Sequence, residues 1–171
     1  MEILIFLSEG YADWEIAYFS QILNDGDKIK TVALNKSQIH SSGQLNVTVD
    51  YSIDEILSLE SIEFKSLILC GSTTWRDNFN NPLIKQLVDK FISSNIIVGA
   101  ICDAVTYLAY NGYLNDIGHS GNSLGYLKDS CPNYTGDKYY KEKQAVKSDL
   151  FITANGTGPL EFTYEICKAL K

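Results

Sequence analysis

Short, continuous apolar runs recur along this chain of 171 residues, and amphipathic segments lie between them. Such runs are typical of strands that are buried on both faces of a parallel sheet, because helices cover its two sides. Alternating strands and helices predict an α/β fold, a doubly wound and mostly parallel sheet with helices on both faces, in one domain spanning residues 1–171. The predicted strands are residues 3–7, 29–34, 67–70, 96–101 and 150–154, with a shorter, more exposed strand or hairpin arm at residues 45–49.

Capping and turn residues mark the predicted helix ends. Asn81-Pro82 predicts the start of one helix, and Pro159 with Glu161 predicts the start of the last, where Glu161 reaches back toward the N-cap. The segment 118–136 is rich in Gly, Ser and Asn and is predicted to be irregular. Other helices are predicted at residues 104–110 and from Trp14, Ala17, Tyr18 and Ile22, whose helical spacing ends before Asn24-Asp25-Gly26.

Composition and charge exclude several classes of function. The net charge of −7 argues against nucleic acid or an anionic membrane surface as the main partner. No window reaches the roughly 18 apolar residues of a membrane span, and the residues from Met1 to Leu7 lack the pattern of a signal peptide, so we expect none. The four cysteines form neither a C-x-x-C pair nor a zinc-binding spacing. We therefore expect a cytoplasmic protein with reduced thiols, without a metal or cofactor.

Cys102 lies at a corner between a predicted strand and a predicted helix. Small residues surround this corner, namely Gly99 and Ala100 before it and Ala104 after it. This pattern is typical of a nucleophile elbow, in which the side chain is exposed above the sheet. The N-terminus of the following helix is expected to lower the pKa of the thiol. The alternative is an ordinary cysteine buried in the core.

Five segments along the chain resemble the DJ-1/PfpI family, which belongs to the class I glutamine amidotransferase-like superfamily and has a flavodoxin-like fold. Together they span nearly the whole chain in the order found in that family. The resemblance is specific for the family and leaves the reaction open, because members differ in activity. The segments are G-Y-A-D-W-E (10–15), L-I-L-C-G-S-T-T-W (67–75), V-G-A-I-C-D-A (98–104), H-S-G-N (119–122) and I-T-A-N-G-T-G-P-L-E-F (152–162).

The resemblance implies a role for several residues of the predicted crevice. Cys102 is implied as the nucleophile and Glu15 as its acidic partner, while the backbone N–H groups of Gly71 and Asp103 would form the oxyanion site. A carboxyl group beside a thiolate tends to be protonated, because two neighbouring negative charges are disfavoured. From the residues alone, Glu15 is equally well explained as an acid that stabilises a helix N-terminus. Asp13 is predicted to be an N-cap.

The histidines distinguish subclasses of the superfamily. Glutamine amidotransferases use a histidine near the chain's end, and PfpI-type members have one directly after the nucleophile, where this chain has Asp103. In other members a His or Tyr about twenty residues after the cysteine approaches it, so His119 is the candidate base. Asp103 has three interpretations: it stabilises the helix, it orients His119, or its charge raises the pKa of Cys102. His40 is assigned no role.

Two further residues are predicted near the crevice. Trp75 either lines its wall or packs under the loop, and Cys70 is either a resolving thiol or a small buried hydrophobic residue.

Three functions are considered for the chain, which is expected to be a homodimer acting on a small molecule. They are a cysteine-dependent enzyme on a small carbonyl, amide or nitrile-like substrate, a thiol-based redox sensor of the stress response, and a family member that has lost catalysis.

Overall fold

A seven-stranded sheet forms the centre of the computed structural model, which describes residues 2–22 and 28–171. Its strand order is β5-β2-β1-β6-β7-β9-β8, and every neighbouring pair is parallel except β8 and β9. A separate antiparallel hairpin consists of β3 and β4. The strands are β1 (Glu2–Phe6), β2 (Lys28–Ala33), β3 (Gln38–His40), β4 (Asn46–Thr48), β5 (Tyr51–Ser52), β6 (Ser66–Leu69), β7 (Ile97–Ile101), β8 (Ala145–Ser148) and β9 (Phe151–Ala154).

Helices cover both faces of this sheet. The two faces carry separate hydrophobic clusters, one packed against α4 and α5 and the other against α7. The predicted doubly wound α/β fold is therefore confirmed. The helices are α1 (Asp13–Ile16), α2 (Phe19–Ile22), α3 (Ile53–Leu57), α4 (Pro82–Ser93), α5 (Ala104–Tyr110), α6 (Leu124–Ser130) and α7 (Pro159–Ala169), with 3-10 turns at Arg76–Asn78 and Asp137–Tyr139.

Apolar residues explain why the central strands lie where they do. All four residues of β6 and of β9, and the last four of β1 and of β7, are buried. Burial on both faces requires a continuous apolar run, which is the pattern that predicted these strands. Gly99 in β7 leaves room for the side chains of Ile166 and Phe162, so α7 packs closely against the sheet.

Three elements differ from the sequence predictions. The segment predicted to be irregular contains α6, whose N-cap Ser123 accepts a hydrogen bond from the Tyr126 N–H. The antiparallel edge strand β8 was not predicted, because its four residues are only partly buried or exposed. At the start of α7, Pro159 occupies the first turn as predicted, but Glu161 forms no capping hydrogen bond with the N-cap.

The predicted first helix is divided into α1 and α2, and three of the residues that predicted it, Trp14, Ala17 and Tyr18, do not face the core. Trp14, Ala17 and Tyr18 are exposed, whereas Glu15 and Phe19 are buried. The predicted stop at Asn24-Asp25-Gly26 lies outside the described residues. Among the described residues, no helix has the length and apolar character needed to cross a membrane.

Candidate active site

A cleft of about 380 Å³ opens above the carboxyl ends of the central parallel strands. The loops that follow β1, β6 and β7 meet there, as expected for the crevice of a parallel α/β sheet. Its lining combines a thiol, two carboxyl groups and a guanidinium group. The lining residues are Gly10, Ala12, Trp14, Glu15, Ser42, Gly71, Ser72, Thr73, Arg76, Cys102, Asp103, Asn122 and Tyr126.

Cys102 occupies the corner between β7 and α5 in a left-handed conformation, with φ of +59°. This backbone is strained for a residue with a side chain, and such strain is concentrated at functional sites. The Cys102 N–H donates to the carbonyl oxygen of Ala154 at 3.0 Å, which fixes the corner to β9. The side chain is partly exposed to the cleft. The geometry is that of a nucleophile elbow.

Two glycines allow the chain to approach the thiol closely. A methyl group on Gly156 would lie 2.8 Å from the Cys102 sulfur, closer than van der Waals contact permits. A methyl group on Gly71 would lie 2.9 Å from Cys102 Cβ and 2.5 Å from Glu15 Oε2. Both positions therefore require glycine for space rather than for backbone conformation.

Glu15 is fully buried beside the thiol. Its Oε2 accepts a hydrogen bond of 2.8 Å from the Gly71 N–H. Burial raises the pKa of Glu15 to about 7, and the charge of Asp103 adds to this effect, while contacts with Cys102 and the Gly71 amide act in the opposite direction. The carboxyl group is consequently able to hold or release a proton near neutral pH.

The thiol of Cys102 is less acidic than the sequence predicted. Burial, followed by the negative charge of Glu15, raises the pKa of Cys102 to about 11. The Asn122 side-chain amide and the Asp103 backbone amide lower it, but they do not compensate. The α5 N-terminus acts in the expected direction through the Asp103 amide, but desolvation and the neighbouring carboxylate outweigh it, so the net shift of the pKa is upward.

Asn122 contacts the thiol directly. Its Nδ2 donates to the Cys102 Sγ at 3.5 Å, and its Oδ1 accepts from the Gly156 N–H at 2.9 Å. The Gly156 carbonyl oxygen in turn accepts a long hydrogen bond of 3.4 Å from the Trp14 indole N–H. Asn122 is twenty residues after Cys102, the separation at which the resemblance places a His or Tyr.

His119, the predicted base, does not lie beside the Cys102 thiol. It is fully buried, and its two ring nitrogens are hydrogen-bonded to the Ile117 carbonyl oxygen at 2.7 Å and to the Tyr134 hydroxyl at 2.6 Å. Burial lowers the pKa of His119, which favours its neutral form. The prediction fails because both nitrogens are used inside the protein, and His119 is not among the residues that line the cleft.

Asp103 joins the corner to α6. Its Oδ1 accepts a hydrogen bond of 2.7 Å from the Tyr126 hydroxyl, and the Arg76 guanidinium lies 5.1 Å from the centre of the Tyr126 ring. The Arg76 side chain also donates to the Ser130 hydroxyl at 3.0 Å. Asp103 therefore orients Tyr126 rather than His119, and it affects the Cys102 thiol mainly through its backbone amide.

Cys70 is a second thiol beside Glu15. Its Sγ lies 3.8 Å from Glu15 Oε2 and 3.5 Å from the Ala12 carbonyl oxygen, and the side chain is completely buried at the end of β6. Burial and the charge of Glu15 raise the pKa of Cys70 well above its usual range. The prediction that Cys70 lines the crevice is corrected, because it lies beneath the cleft.

Trp75 also lies beneath the cleft rather than in its wall. Its indole N–H donates to the Cys70 carbonyl oxygen at 2.7 Å, and its ring packs between Phe6 and Tyr107 at centroid distances of 5.5 and 5.2 Å. Of the two interpretations that the sequence allowed, packing under the loop is the one observed.

The two predicted oxyanion donors, the backbone N–H groups of Asp103 and Gly71, interact with different groups in the structure. The Asp103 N–H interacts with the Cys102 sulfur and lowers the pKa of the thiol. The Gly71 N–H is already engaged by the Glu15 carboxyl group. Gly71 therefore serves in this structure to position the acid, and only a shift of Glu15 would free its amide.

Asp13 has a structural role that differs from the predicted N-cap. It is the first residue of α1, whose N-cap is Ala12. The Asp13 Oδ2 accepts hydrogen bonds from the Gly43 N–H at 2.8 Å and the Ser42 hydroxyl at 3.3 Å. Asp13 thus anchors the turn after β3 to the cleft rim.

In residues 2–22 and 28–171, no cluster of three His, Cys, Asp or Glu side chains is arranged to hold a metal ion.

Comparison with known proteins establishes the relationship of this chain. The sequence pattern of the DJ-1/PfpI family matches residues 1–169. The chain belongs to the DJ-1/PfpI family. Two relatives from Bacillus subtilis (strain 168) carry the names uncharacterized protease YoaZ and uncharacterized protease YdeA. YoaZ is 34% identical over 178 aligned positions, covering 99% of this chain and 83% of YoaZ, and YdeA is 36% identical, covering 94% and 78%.

Solved structures of other DJ-1/PfpI members have the same fold. The DJ-1 superfamily protein Atu0886 from Agrobacterium tumefaciens is 31% identical, with a TM-score of 0.87, over 99% of this chain and 89% of that one. The thiJ/pfpI family protein from Bacillus anthracis is 35% identical, with a TM-score of 0.88, over 99% and 82% of the two chains.

Two residues next to the Cys102 sulfur were not predicted from the sequence of this DJ-1/PfpI member. Asn122 and Gly156 both lie in segments that carried the resemblance, but neither was assigned a role. The separation of twenty residues between Cys102 and Asn122 was a usable signal, since it matches the family's spacing better than the seventeen to His119 does. For Gly156 the packing distance to the sulfur is the only signal, and it requires the three-dimensional structure.

Proposed function

We propose that this protein is a cysteine-dependent enzyme that converts a small 2-oxoaldehyde into the corresponding 2-hydroxycarboxylic acid, in the manner of a glyoxalase. The observation that carries this proposal is the pairing of Cys102, at a strained corner of the cleft, with a buried Glu15 whose pKa is about 7. A single carboxyl group with a near-neutral pKa is suited to accept and return protons in successive steps.

In the first step the Cys102 sulfur attacks the aldehyde carbon. The thiol proton passes to the Glu15 carboxylate, and the aldehyde oxygen becomes the hydroxyl of a hemithioacetal when it receives that proton. Because the pKa of Cys102 is raised, deprotonation must accompany attack rather than precede it. The Asp103 N–H stabilises the developing negative charge on oxygen.

The second step moves a proton between neighbouring carbons. Glu15 removes the C–H proton of the hemithioacetal and returns a proton to the adjacent carbonyl carbon, while the hydroxyl proton of the hemithioacetal moves to the oxygen on that adjacent carbon. The product is the thioester of a 2-hydroxy acid. Water then cleaves the thioester, releasing the 2-hydroxycarboxylic acid and restoring the Cys102 thiol. The reaction is an internal redox change of the substrate, so the overall balance requires only one water molecule.

Amide hydrolysis fits the site less well. Departure of an amine requires an acid placed at the leaving nitrogen, which cysteine proteases supply with histidine. Of the two histidines, His119 is turned into the core and His40 pairs with Glu9 at the exposed hairpin. The names of the Bacillus relatives suggest proteolysis, but a cleft in which neither histidine faces Cys102 is better suited to an aldehyde, from which no amine has to leave.

Cys102 is the proposed nucleophile in preference to Cys70, although both thiols lie close to Glu15. Cys102 lines the cleft, whereas Cys70 is 0% exposed and its sulfur faces the Ala12 carbonyl oxygen. A substrate would reach Cys70 only after the loop around Gly71 had moved. We expect Cys102→Ser to lose turnover by about 100-fold or more and Cys70→Ala to retain most of it.

The experiment measures product formation from methylglyoxal by the wild type and these two variants. If Cys102→Ser keeps full activity while Cys70→Ala loses it, the assignment of the nucleophile is wrong. Reaction in D₂O adds a test of the proton relay. Because the Glu15 carboxyl exchanges with solvent, deuterium should appear on the carbon of the product, whereas a direct hydride shift would leave that carbon unlabelled.

A second function, ligand binding without turnover, is favoured by one observation. The pKa of Cys102 is raised to about 11, so little thiolate is present at neutral pH. The same observation disfavours a peroxide sensor, which depends on a thiolate. Saturable calorimetric binding of small carbonyl compounds, without product and unchanged in Cys102→Ser, would replace the enzymatic proposal with this one.

A further inference from the structure

The structure contains a second cleft, of about 660 Å³, which shares no lining residue with the cleft above Cys102. We propose that this lysine cleft binds a small polyanion of the phosphate class. It lies between α7 and the edge strand β8, and the loop preceding β8 forms one side. Its lining residues are Gly118, Lys141, Lys143, Ala145, Val146, Lys147, Ser148, Glu165, Lys168 and Ala169.

The charge of the lysine cleft is opposite to that of the whole protein. Four of the lining residues are lysines and one, Glu165, is acidic, which leaves an excess of three positive charges. The chain as a whole has a net charge of −7. Clustered ammonium groups raise the local concentration of anions and repel one another when no anion is present. The cluster thus carries an electrostatic cost that a bound anion would remove.

The lysines are not neutralised by neighbouring carboxylates. Among the described residues, no Asp or Glu oxygen lies within 4 Å of the Nζ of Lys141, Lys143, Lys147 or Lys168, although four other lysines form such pairs. The Lys147 ammonium donates to the Asp149 carbonyl oxygen at 3.2 Å. Glu142 follows Lys141 in the sequence but lines a neighbouring depression instead.

Protection of a sheet edge explains only part of this arrangement. Edge strands often carry lysine, which prevents pairing with other chains. Lys147 lies on β8 and fits that explanation, but Lys141 and Lys143 precede the strand and Lys168 belongs to α7. Because these lysines come from three different segments and line one concave surface, a shared ligand is the better explanation.

The residues that line the lysine cleft indicate the chemistry of the ligand. Three small residues, Gly118, Ala145 and Ala169, line the cleft together with the lysines, and Ser148 supplies a hydroxyl group. Lysine binds phosphate as a compact, mobile point charge with three donors. Several lysines around one space therefore suit a ligand with at least two adjacent negative groups, such as a pyrophosphate moiety.

The test is calorimetric titration of the full chain with inorganic pyrophosphate at low ionic strength, with orthophosphate and chloride at equal ionic strength for comparison. We expect saturable binding of pyrophosphate and weaker binding of orthophosphate. The Lys143→Gln/Lys147→Gln variant should bind about tenfold more weakly or worse. The matched control is Lys28→Gln/Lys65→Gln, which removes the same charge at exposed positions outside the cleft.

Two outcomes would overturn the proposal. One is the absence of saturable binding to the wild type at millimolar pyrophosphate. The other is an equal loss of affinity in the cleft variant and the control, which would indicate a general effect of net charge. Thermal denaturation of each variant without ligand confirms that it is folded. Neither outcome depends on Cys102, so the test is independent of the proposed enzymatic activity.

Discussion

At the scale of single residues, the proton shared by Glu15 and Cys102 determines what the cleft can do. The pKa values of about 7 and about 11 describe a coupled pair that holds two protons in acid and one proton between these values. In the proposed reaction the reactive form has one proton, whichever of the two groups carries it. Glutamate buried beside a thiol thus sets the working pH of the site.

The first prediction follows from this pair. We expect kcat/KM for the 2-oxoaldehyde to rise about tenfold per pH unit below pH 7 and to level off above it, because the doubly protonated pair is inactive. The measurement is a pH–rate profile corrected for protein stability. A profile that is flat between pH 5 and 9 would contradict the role of Glu15, and Glu60→Gln, at an exposed loop position, is the control.

The second prediction concerns the cost of burying Glu15. Its pKa is raised from 4.5 to about 7 on folding, so it stabilises the fold fully below pH 4.5 and loses this contribution as the pH rises through 7. At pH 8 the ionised carboxylate is disfavoured, and Glu15→Gln should raise the free energy of unfolding by roughly 2–3 kcal/mol. Urea denaturation at pH 5 and pH 8 measures this difference, which should be much smaller at pH 5.

The third prediction uses Asn122, which donates to the Cys102 sulfur. In Asn122→His an imidazole would take this place, and its protonated form would stabilise the thiolate. We expect iodoacetamide to alkylate Cys102 about tenfold faster at pH 7 in this variant and more slowly in Asn122→Ala, which lacks the donor. Equal rates in the wild type and both variants would show that Asn122 does not influence the thiol.

The site was predictable from sequence where local pattern determines it. Cys102 at a strand-to-helix corner needs only the apolar run before it and small neighbours around it. The pKa of Cys102 was not predictable, because it depends on how deeply α1 and α5 bury the thiol and on the Glu15 carboxylate beside it. His119 was misassigned because its direction depends on Tyr134 and on the loop at Ile117, which sequence spacing does not reveal.

At the scale of secondary-structure elements, α6 is held against the corner at Cys102 through Tyr126. The Tyr126 hydroxyl donates to the Asp103 carboxylate at 2.7 Å, and this contact gives a structural reason for an acid directly after Cys102. Continuous apolar runs made the central strands predictable, whereas α6 lies in a segment rich in Gly, Ser and Asn. Its formation depends on the Ser123 cap and on packing of Leu127, which is buried.

The fourth prediction tests this contact between elements. Tyr126→Phe removes the hydrogen bond to a charged acceptor, and the free energy of unfolding should fall by about 1–2 kcal/mol. Tyr164→Phe is the control, since Tyr164 is 62% exposed. Chemical denaturation measures both variants. If the two variants have equal stability, the Tyr126–Asp103 contact does not hold α6 in place.

At the scale of the whole molecule, an exposed apolar surface borders the cleft. It consists of Trp14 from α1, Tyr18 from the turn after α1, and Leu160 and Tyr164 from α7, whose exposed fractions are 53, 43, 57 and 62%. Helices α1 and α7 contact one another, and Trp14 also lines the cleft. Exposed aromatic and aliphatic residues grouped in this way are typical of interaction surfaces. The expected homodimer stays a prediction, and this surface is where we place it.

The fifth prediction tests that placement. Leu160→Glu introduces a charge into the apolar surface, and we expect it to convert a dimer into a monomer, as measured by analytical ultracentrifugation. Leu59→Glu, at a loop position that is 39% exposed, is the matched control and should leave the assembly unchanged. A wild-type protein that sediments as a monomer at all concentrations would refute the dimer, and an unaffected Leu160→Glu dimer would refute the interface.

The two glycines that flank Cys102 also have a consequence for chemical probes. Gly71 and Gly156 leave a gap in which a single added methyl group would already collide with the thiol or with Glu15. Any group attached to the sulfur must therefore extend along the open side of the cleft, past Asn122 and Asp103. Flat, narrow electrophiles should label Cys102 faster than branched electrophiles of equal intrinsic reactivity. The labelling rates of a series of reagents of increasing width would therefore measure how wide the gap is.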